Sequence, residues 1–455
     1  MKRITGTHVY GYARCAHAVA LDLHGDRELR RPYTDVEEFV LRRGRELEVR
    51  LTEPLGWCEP DYPERDFEAG AAATLALLQE GVEGVLQGVL VGDDRLGIPD
   101  LLRREDGPSN LGAHHYVIGD VKSSRRARGD QILQIMFYSV LLAEVQGREP
   151  EYAYLTLRDG REERFACRDF AESLAEVDAN LQDLLHGCVT TRACLTPACQ
   201  GCRWSTVCLP ELEKADDLSL LQGMTAGLRR TLESAGVRGG AAAQQMSVEP
   251  TARRTHVESA LLRRVKKAAQ ARADGQPVWE KRVRPPHRDW AVVHLLQDPF
   301  VDRVHWIGLL HPEGEGLRDV LIERREDELE AFSALVASIP EASALWHYGE
   351  RLPRWFEDAT WAVGADTHME RRFVDLARRL AGAACFPAPV FGLDDHVRLV
   401  LQRDPHRAGE AGGVGLWLEE PGGAERVVNK GRQDLEDLLG LVEALRGESV
   451  GRPVA

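Results

Sequence analysis

Three cysteines that lie close together near residue 200 restrict how the first half of the chain can fold. Cys199 and Cys202 form a CxxC pair, and Cys208 follows after five further residues. Thiolate sites for zinc or iron–sulfur clusters commonly use four ligands, so this run is one ligand short. Cys15, close to the start of the chain, is a candidate for the fourth. A metal bound at these positions would tie the two ends of one domain together and contribute folding energy, a structural rather than a redox role.

The remaining cysteines and the N-terminus help to decide whether the clustered cysteines bind a metal. The chain has nine cysteines, and its opening residues lack the apolar core of a secretion signal. In such a chain, clustered cysteines are more often metal ligands than disulfides, and their spacing leaves zinc and an iron–sulfur cluster both open. Cys188 and Cys194 are alternatives to Cys15 as the fourth ligand. The cysteines expected to be buried thiols are Cys58, Cys167 and Cys385.

Composition is that of a multidomain globular protein. The 455 residues predict two or three domains, and 43% of them are hydrophobic, as in packed domains. No apolar run reaches the roughly 18 residues that a membrane helix needs. We therefore expect a cytoplasmic protein that does not enter the membrane.

The net charge of −15 excludes a surface that is basic throughout. Any contact with nucleic acid must therefore use local patches. Two basic runs are candidates, and each is also compatible with an ordinary solvated face. The first consists of Lys122, Arg125, Arg126 and Arg128, and the second consists of Arg263, Arg264, Lys266 and Lys267.

Hydrophobic periodicity predicts a mixture of helices and strands in residues 1–212. The predicted helices are at 36–51, 67–80 and 130–146, the last of them ending at Gly147. The predicted strands are at 84–91, 95–104, 116–122 and 152–157. This pattern is typical of an α/β domain.

Several polar residues fall on these elements in an order that favours metal-dependent chemistry. Asp120 and Lys122 are two apart on a strand, so their side chains share a face. A carboxylate there can bind Mg²⁺ or Mn²⁺, and a neighbouring lysine can stabilise an attacking hydroxide or a developing phosphate charge. Asp100, on the preceding strand, can complete the cation site. Gln134 and Tyr138 are four apart on the next helix and therefore lie on one face.

This ordered set resembles the PD-(D/E)xK superfamily of nucleases, and specifically its RecB-like branch, over residues 1–212. The resemblance implies a restriction-endonuclease-like core with a catalytic centre and an accessory motif on the following helix. The residues it makes catalytic are Asp100, Asp120 and Lys122, and the accessory residues are Gln134 and Tyr138.

The first motif of this family departs from its usual form. In the family, a helix carries glycine and then histidine, often followed by glutamate. In this sequence the helix carries Gly44, leucine stands at the histidine position as Leu47, and Glu48 is retained. The resemblance implies Glu48 as a further catalytic residue and metal ligand, while the loss of the histidine bears on the affinity for metal.

The cysteine pattern is similar to that of the iron–sulfur nucleases of the same branch. This similarity implies a [4Fe–4S] cluster, with zinc as the alternative, on Cys15, Cys199, Cys202 and Cys208. The run at 15–26 also resembles the opening of a group of RecB-family nucleases in which a helix-hairpin-helix and an RNase H-like domain follow. The resemblance thereby extends to the whole chain.

Residues 217–238 contain two short helical patterns on either side of a glycine, Gly223. This is the layout of a helix-hairpin-helix, in which a glycine turn lets backbone N–H groups approach a DNA phosphate. An ordinary pair of antiparallel helices has the same pattern. A linker is predicted at 239–245, followed by basic helices at about 250–285.

The region from residue 290 onwards has an α/β pattern of its own. In the resembling group this is an exonuclease-like RNase H domain, whose first strand carries two metal-binding acids. His294 and Leu296 occupy those positions here, so we expect an inactive domain retained for DNA binding or protein contact. Asp375 and Asp434 are expected to be acids on helix surfaces. Strands are predicted near 290–297 and 302–310, and helices near 325–338, 367–381 and 432–446.

Taken together, these observations predict an α/β multidomain protein. Its expected segments are a nuclease domain with an iron–sulfur site, a helix-hairpin-helix, a basic helical linker and a degenerate RNase H-like domain, at 1–212, 213–240, 241–288 and 289–455. The expected activity is Mg²⁺- or Mn²⁺-dependent cleavage of DNA, single-stranded or at ends, with DNA contacts at Arg125, Arg126 and Gly223. The alternatives are a non-catalytic DNA-binding subunit that works with a helicase or defence partner, and a zinc- or iron–sulfur-dependent RNA-processing factor.

Overall fold

The computed structural model describes residues 2–281, 289–298, 303–312, 316–337, 343–363, 368–405 and 414–446. Helices and sheets of mixed strand direction follow one another along this part of the chain, which confirms the predicted α/β class. The chain divides into two units, residues 1–193 with 198–208, and residues 194–197 with 209–455. None of the described helices is both long enough and apolar enough to cross a lipid bilayer.

The first unit is built from the following elements. Its helices are α1 (Gly6–Tyr12), α2 (Ala16–His24), α3 (Asp35–Thr52), α4 (Phe67–Glu80), α5 (Gly129–Gln146), α6 (Ala171–Leu185) and the beginning of α7 (Ser205–Lys214). Its strands are β1 (Ile4–Thr5), β2 (Gly84–Leu86), β3 (Leu90–Val91), β4 (Arg95–Gly97), β5 (Leu101–Ser109), β6 (Gly112–Lys122), β7 (Tyr152–Leu157) and β8 (Glu162–Ala166).

The main sheet of the first unit has the strand order β2-β5-β6-β7-β8. Neighbouring strands run antiparallel except for β6 and β7, which are parallel. Parallel neighbours need a long crossover connection, and α5 provides it. A smaller sheet has the order β1-β4-β3.

The three helices predicted for this region are confirmed as α3, α4 and α5, and the strands predicted at 116–122 and 152–157 are confirmed within β6 and β7. The two strands predicted between residues 84 and 104 are each broken. Gln87 has a left-handed backbone, with φ 51°, between β2 and β3, and residues 98–100 separate β4 from β5. Strand β8 was not predicted, because its charged sequence begins with Glu162, Glu163 and Arg164.

Gly119 in β6 occupies a position that has no room for a side chain. It pairs with Tyr154 of β7, and a β-carbon at residue 119 would lie 2.3 Å from the Tyr154 ring. That ring is buried, and the Arg103 guanidinium lies over it, 3.9 Å from its centroid. Glycine is therefore required directly before Asp120.

The second unit continues from α7. Its further helices are α8 (Ala226–Ser234), α9 (Gly240–Gln245), α10 (Val248–Thr255), α11 (Ser259–Asp274), α12 (Glu328–Val336), α13 (Arg351–Val363), α14 (Leu376–Ala383), α15 (Leu393–His396), α16 (Val414–Leu418) and α17 (Gly423–Arg446). Its strands are β9 (Val278–Trp279), β10 (Trp290–Asp298), β11 (Arg303–His311), β12 (Gly316–Leu321), β13 (Ala344–His347), β14 (Phe373–Asp375) and β15 (Ala384–Cys385).

Helices α8 to α11 share an apolar core with Cys385 of β15. The linker predicted at 239–245 is wrong, because α9 occupies most of it and buries Ala243. Its alanines and glutamines are good helix formers. The first helix of the predicted hairpin is only one 3₁₀ turn, Leu218–Leu220, whereas the second is α8. The end of the predicted basic helical segment, 282–288, lies outside the described residues.

The C-terminal sheet has the strand order β12-β11-β10-β13-β14. The pairs that involve β11 are antiparallel, and β10, β13 and β14 are parallel to one another. Side chains alternate between its faces, so that Trp290 and Val292 pack with α14 and α17, and Ala291 and Val293 with α12 and α13. The helix predicted at 367–381 is interrupted, because a 3₁₀ helix at His368–Arg372 is followed by β14 before α14 begins.

His396 is a buried histidine of this C-terminal part, with only 2% of its surface exposed. Its Nδ1 lies 2.6 Å from the Tyr348 hydroxyl, and its ring packs against Phe386 with the centroids 4.9 Å apart. Burial lowers the pKa of His396 from 6.5 to about 4, although the charge of Asp375 acts in the opposite direction. The folded protein therefore keeps this ring neutral at pH values where the unfolded chain would protonate it.

We expect Gly119→Ala to lower the free energy of unfolding of the first unit by about 1–3 kcal/mol, because the new methyl group collides with the Tyr154 ring. Thermal and urea unfolding, followed by circular dichroism, measure the change. Gly129→Ala is the matched control, since nothing lies within 4 Å of a β-carbon at that position. Equal stability of the two variants would contradict the packing argument.

We expect the stability of the second unit to fall as the pH drops from about 6.5 to about 4. In this range the unfolded chain binds a proton at residue 396 that the folded chain does not. The pKa difference corresponds to a loss of about 3 kcal/mol in the free energy of unfolding. His396→Gln should flatten this part of the stability profile, because glutamine does not titrate. His256→Asn, at an exposed position with a left-handed backbone, should leave the slope unchanged. An identical slope in all three proteins would refute the assignment.

Candidate functional site

The residues predicted to form a cation site come from separate elements of the first unit. Asp100 directly precedes β5, Asp120 and Lys122 end β6, Glu48 is on α3, and Gln134 and Tyr138 are on α5. Strands β5 and β6 pair with Leu101 opposite Gly119, and continuing this register places Asp100 opposite Asp120. Asp100 Oδ2 accepts a hydrogen bond of 2.8 Å from the Val121 N–H.

Asp120 and Lys122 form an ion pair at the end of β6. Lys122 Nζ contacts Asp120 Oδ2, and Asp120 is only 3% exposed. Burial lowers the pKa of Lys122, but the charges of Asp120 and Asp100 outweigh burial and raise that pKa. The lysine is therefore protonated at neutral pH and faces two carboxyl groups.

Gln87 links two of the acids. Its side-chain Nε2 donates hydrogen bonds to Asp100 Oδ1, at 3.0 Å, and to Glu48 Oε1. Its left-handed backbone is one that residues with a β-carbon adopt at a cost of about 1–2 kcal/mol. The result is a row of hydrogen-bonded side chains, Glu48, Gln87 and Asp100. The charges of Asp120 and Lys122 lie close enough to this row to influence Asp100.

The three carboxyl groups lie close enough to alter each other's protonation. Burial, and then the charges of Asp120 and Glu48, raise the pKa of Asp100 well above its ordinary value. Burial raises the pKa of Glu48, the hydrogen bond from Gln87 lowers it, and the charge of Asp120 raises it further. A divalent cation would relieve this repulsion, so the cluster favours cation binding.

Within the described part of the chain, no three His, Cys, Asp or Glu side chains surround a common metal position. In the carboxylate cluster, the Gln87 amide stands between Glu48 and Asp100, and the Lys122 ammonium lies on Asp120. These two groups supply the positive partners that a cation would otherwise supply. The donor set, all carboxylate and amide oxygens, fits Mg²⁺ or Mn²⁺.

Gln134 and Tyr138 interact as their spacing predicts. Gln134 Nε2 donates a hydrogen bond of 3.0 Å to the Tyr138 hydroxyl. A β-carbon at Gly6 would lie 2.2 Å from that hydroxyl, so Tyr138 is tightly held. Burial, and then the charge of Asp120, raise the pKa of Tyr138. Tyr138 therefore keeps its proton within electrostatic range of Asp120.

The loop between β6 and α5 carries the first predicted basic run. Arg125 and Arg126 are exposed there, and the Arg125 carbonyl accepts a hydrogen bond from Arg161. Arg128 Nη2 donates a 2.7 Å hydrogen bond to the Tyr10 hydroxyl, and Tyr10 is close enough to influence the pKa of Lys122. The loop thus joins exposed positive charge to the carboxylate cluster.

The second basic run has contacts within its own unit. Lys266 donates to the Met246 carbonyl and Arg264 to the Ala381 carbonyl. Arg263 pairs with Glu249, and Lys267 pairs with Glu280. These contacts favour a solvated face over a nucleic-acid patch.

Cys15 lies within electrostatic range of two of the clustered cysteines, although no three cysteines of the described part of the chain surround a common metal position. Burial raises the pKa of Cys15, and the nearby thiols of Cys199 and Cys202 act in the same direction. Cys208 follows in the first turn of α7, where its N–H donates to the Trp204 carbonyl. Of the alternative ligands, Cys188 is exposed and Cys194 belongs to the second unit.

Trp204, inside the cysteine run, joins the two ends of the first unit. It is 2% exposed, and its Nε1 donates a 2.9 Å hydrogen bond to Asp22 of α2. The Arg31 N–H donates to the Arg203 carbonyl, and Arg203 Nε donates to the Arg31 carbonyl. Because Cys15 caps α2, these bonds hold Cys15 and the cysteine run in the same region.

Gly223 lies in an exposed turn with φ 76°, and a β-carbon there would meet nothing within 4 Å. The Gln222 side chain accepts a 2.6 Å hydrogen bond from the Phe386 N–H, which anchors the turn. Thr225 caps α8 by accepting from the Leu228 N–H. The turn therefore presents open backbone at the start of α8.

The prediction of Asp434 as a surface acid is wrong. Asp434 is 4% exposed on α17, where His294 Nε2 lies 3.2 Å from one of its oxygens and Lys430 Nζ lies 2.5 Å from the other. Burial raises the pKa of Asp434, but His294 and Lys430 outweigh burial and lower it. His294 thus contacts Asp434, while Leu296 is half-buried against the core.

Two further expectations need correction. Asp375 is not a free surface acid, because it caps α14 by accepting from the Ala377 N–H at 2.9 Å and also accepts from the Gly349 N–H at 3.1 Å.

Cys385 is buried and Cys167 is half-buried, but Cys58 is exposed. The backbone of Cys58 forms an isolated bridge with Val85 of β2, which leaves its side chain on the surface.

Sequence reasoning missed Gln87, Tyr10 and Trp204. No spacing relates Gln87 to Glu48 or Asp100, since the three lie on different elements. Tyr10 lies on α1, outside the predicted pattern. Trp204 did carry a signal, because a tryptophan flanked by cysteines in a polar loop needs a burial site.

Comparison with models of known protein families finds none that matches this chain, and comparison with curated proteins likewise finds no match.

Proposed function

We propose that the first unit is a Mg²⁺- or Mn²⁺-dependent deoxyribonuclease of the RecB-like PD-(D/E)xK type. The observation that carries this proposal is the convergence of Asp100, Asp120 and Lys122, with Glu48 beside them, at the paired ends of β5 and β6. Burying like charges together is costly, and titratable groups perturbed in this way concentrate at functional sites.

The order of elements supports the same proposal. Helix α3, the antiparallel strands β2, β5 and β6, the crossover helix α5 and the parallel strand β7 follow the arrangement expected of a restriction-endonuclease-like core. Glu48 is on the first helix, the acids and lysine are on the central strands, and Gln134 and Tyr138 are on the crossover helix. Leu47 remains the departure from the family pattern.

The side chains divide the proposed chemistry among themselves. A divalent cation held by Asp100, Asp120 and Glu48 would polarise the scissile phosphate and activate a water molecule. Lys122 is protonated and suited to stabilise the negative charge that develops on the phosphate. Tyr138, oriented by Gln134, keeps its proton within electrostatic range of Asp120.

DNA, single-stranded or at its ends, is the proposed substrate, by resemblance to the RecB-like branch. Arg125 and Arg126 are the proposed phosphate contacts near the site, because they are exposed and lie three and four residues after Lys122. The protein carries a net negative charge, so few other basic groups should contact the DNA. The salt dependence of DNA binding should therefore reflect only these few phosphate contacts.

We propose that Cys15, Cys199, Cys202 and Cys208 bind a structural [4Fe–4S] cluster, with zinc as the alternative. The proximity of Cys15 to Cys199 and Cys202 supports this ligand set. The Trp204–Asp22 hydrogen bond supports it further, because it holds the same two segments together. Metal binding would then add to the folding free energy of the first unit.

For the second unit we propose DNA binding or protein contact rather than catalysis. The strand order and directions of the C-terminal sheet are those expected of an RNase H-like domain. His294 and Leu296 leave its central strand without the acid pair, and Asp434 is already neutralised by Lys430. The open turn at Gly223 is where a helix-hairpin-helix would approach a phosphate.

A non-catalytic DNA-binding subunit, working with a helicase or defence partner, is the second candidate. Two observations favour it, namely Leu47 at the histidine position and the His294–Asp434 pair in the second unit. Both remove groups on which cation binding would depend. The DNA cleavage assay described next separates the two candidates.

We expect the purified protein to degrade end-labelled DNA in Mn²⁺ or Mg²⁺, and Asp120→Asn and Lys122→Ala to lower the rate at least about 100-fold, since each removes a charge from the reacting centre. Denaturing gels on single-stranded, blunt duplex and circular DNA measure the rate and show whether ends are needed. Asp120→Asn keeps the shape of the side chain, so a loss of activity in this variant cannot be attributed to misfolding, even if Lys122→Ala proves unstable.

Lys2→Ala is the control, because Lys2 is an exposed lysine of the same unit, and it should retain full activity. Cleavage that persists in Asp120→Asn would contradict the assigned centre. Absence of cleavage in the parent protein, with DNA binding retained, would favour the scaffold candidate.

We expect Cys202→Ser to remove the bound iron or zinc and to lower the melting temperature of the first unit by about 5–10 °C, because the metal adds to folding free energy. Elemental analysis of anaerobically purified protein identifies the metal, and calorimetry gives the melting temperature. Cys188→Ser, at an exposed cysteine, should change neither. Full metal content in Cys202→Ser, or its loss in Cys188→Ser, would show that the ligand set is wrong.

A further inference from the structure

The Gln87 side chain occupies the space between two acids of the proposed cation site. Its amide nitrogen donates to Asp100 Oδ1 at 3.0 Å and to Glu48 Oε1. Any cation shared by Glu48 and Asp100 must therefore lie where this amide now makes its hydrogen bonds.

We infer that Gln87 is a ligand of the cation at this site, an inference that rests on the proposed metal-dependent nuclease. The carboxamide has a donor end and an acceptor end of nearly the same size. Rotation about its terminal bond exchanges the NH₂ group for the oxygen without moving the rest of the residue. Amide oxygens are ligands of hard divalent cations, so the same side chain can bridge the acids without metal and bind the metal when it is present.

The backbone of Gln87 supports a functional role. Its φ of 51° falls in the left-handed region that favours glycine. The Gln87 N–H donates to the Asp100 carbonyl at 3.0 Å, and the preceding Leu86 N–H donates to the Cys58 carbonyl at 2.7 Å. These bonds fix the strained residue in place, and strained residues that the surroundings hold in place concentrate at binding and catalytic sites.

The ligand set explains how a cation could be held without the usual histidine. Leu47 offers no donor atom, which leaves the carboxylates of Glu48, Asp100 and Asp120. A neutral amide adds an oxygen without adding a fourth negative charge to a cluster in which burial and neighbouring charges already raise the pKa of Asp100. Gln87 thus contributes a ligand at low electrostatic cost.

The test uses Mn²⁺ binding to the full-length protein, measured by electron paramagnetic resonance of free Mn²⁺, together with the melting temperature in the absence of added metal. Gln87→Gly removes the ligand but relieves the backbone strain, so we expect Mn²⁺ binding at least about tenfold weaker in a protein that melts no earlier than the parent. Gln87→Glu keeps an oxygen at the same reach, so it should bind Mn²⁺ at least as tightly as the parent but melt earlier without metal.

A purely structural role for Gln87 predicts the opposite pattern, with Gln87→Gly melting earlier and binding Mn²⁺ as the parent does. That result would overturn the inference and leave the nuclease proposal intact. Asp120→Asn identifies the site, because it should weaken Mn²⁺ binding in any case. If the parent binds no Mn²⁺, or if Asp120→Asn binds it unchanged, the proposed function fails and this inference fails with it.

Discussion

The arrangement of the first unit depends on a cluster of buried and half-buried carboxyl groups that share a few positive partners. Asp100 and Asp120 are brought together by the pairing of β5 with β6, and Glu48 approaches from α3. Such a cluster would drive the strands apart if it were left uncompensated. Lys122 and the Gln87 amide supply the compensation. Gly119 lets Tyr154 of β7 pack directly against β6, and Gly6 of α1 gives Tyr138 room to lie within electrostatic range of Asp120.

Much of this arrangement can be predicted from the sequence because it depends on local periodicity. A spacing of two on a strand places Asp120 and Lys122 on one face, and a spacing of four on a helix joins Gln134 to Tyr138. Gln87 could not be predicted, because its role arises from a left-handed residue between two short strands and from contacts with two other elements. The charged strand β8 was missed for a similar reason, since pairing with β7 rather than its own pattern makes it a strand.

The second unit shows how tertiary contacts override what a helix pattern implies. Asp434 has the sequence surroundings of a surface acid, yet it faces the sheet and pairs with His294 and Lys430. Asp375 likewise serves to start α14. In both cases the acid meets its partner only through folding, so one-dimensional spacing gives no warning. At position 294 of β10, where a metal-binding acid was expected, a histidine contacts Asp434 instead.

The charged character of β8 has a consequence for how the protein behaves at high concentration. An outermost strand offers unpaired N–H and C=O groups to any neighbouring molecule, and uncharged outer strands promote sheet-to-sheet aggregation. Glu162, Glu163 and Arg164 make such pairing between copies unfavourable, while the bridge from Cys58 to Val85 covers part of β2 at the opposite margin. The sheet that presents the carboxylate cluster is thereby protected from self-association at both margins.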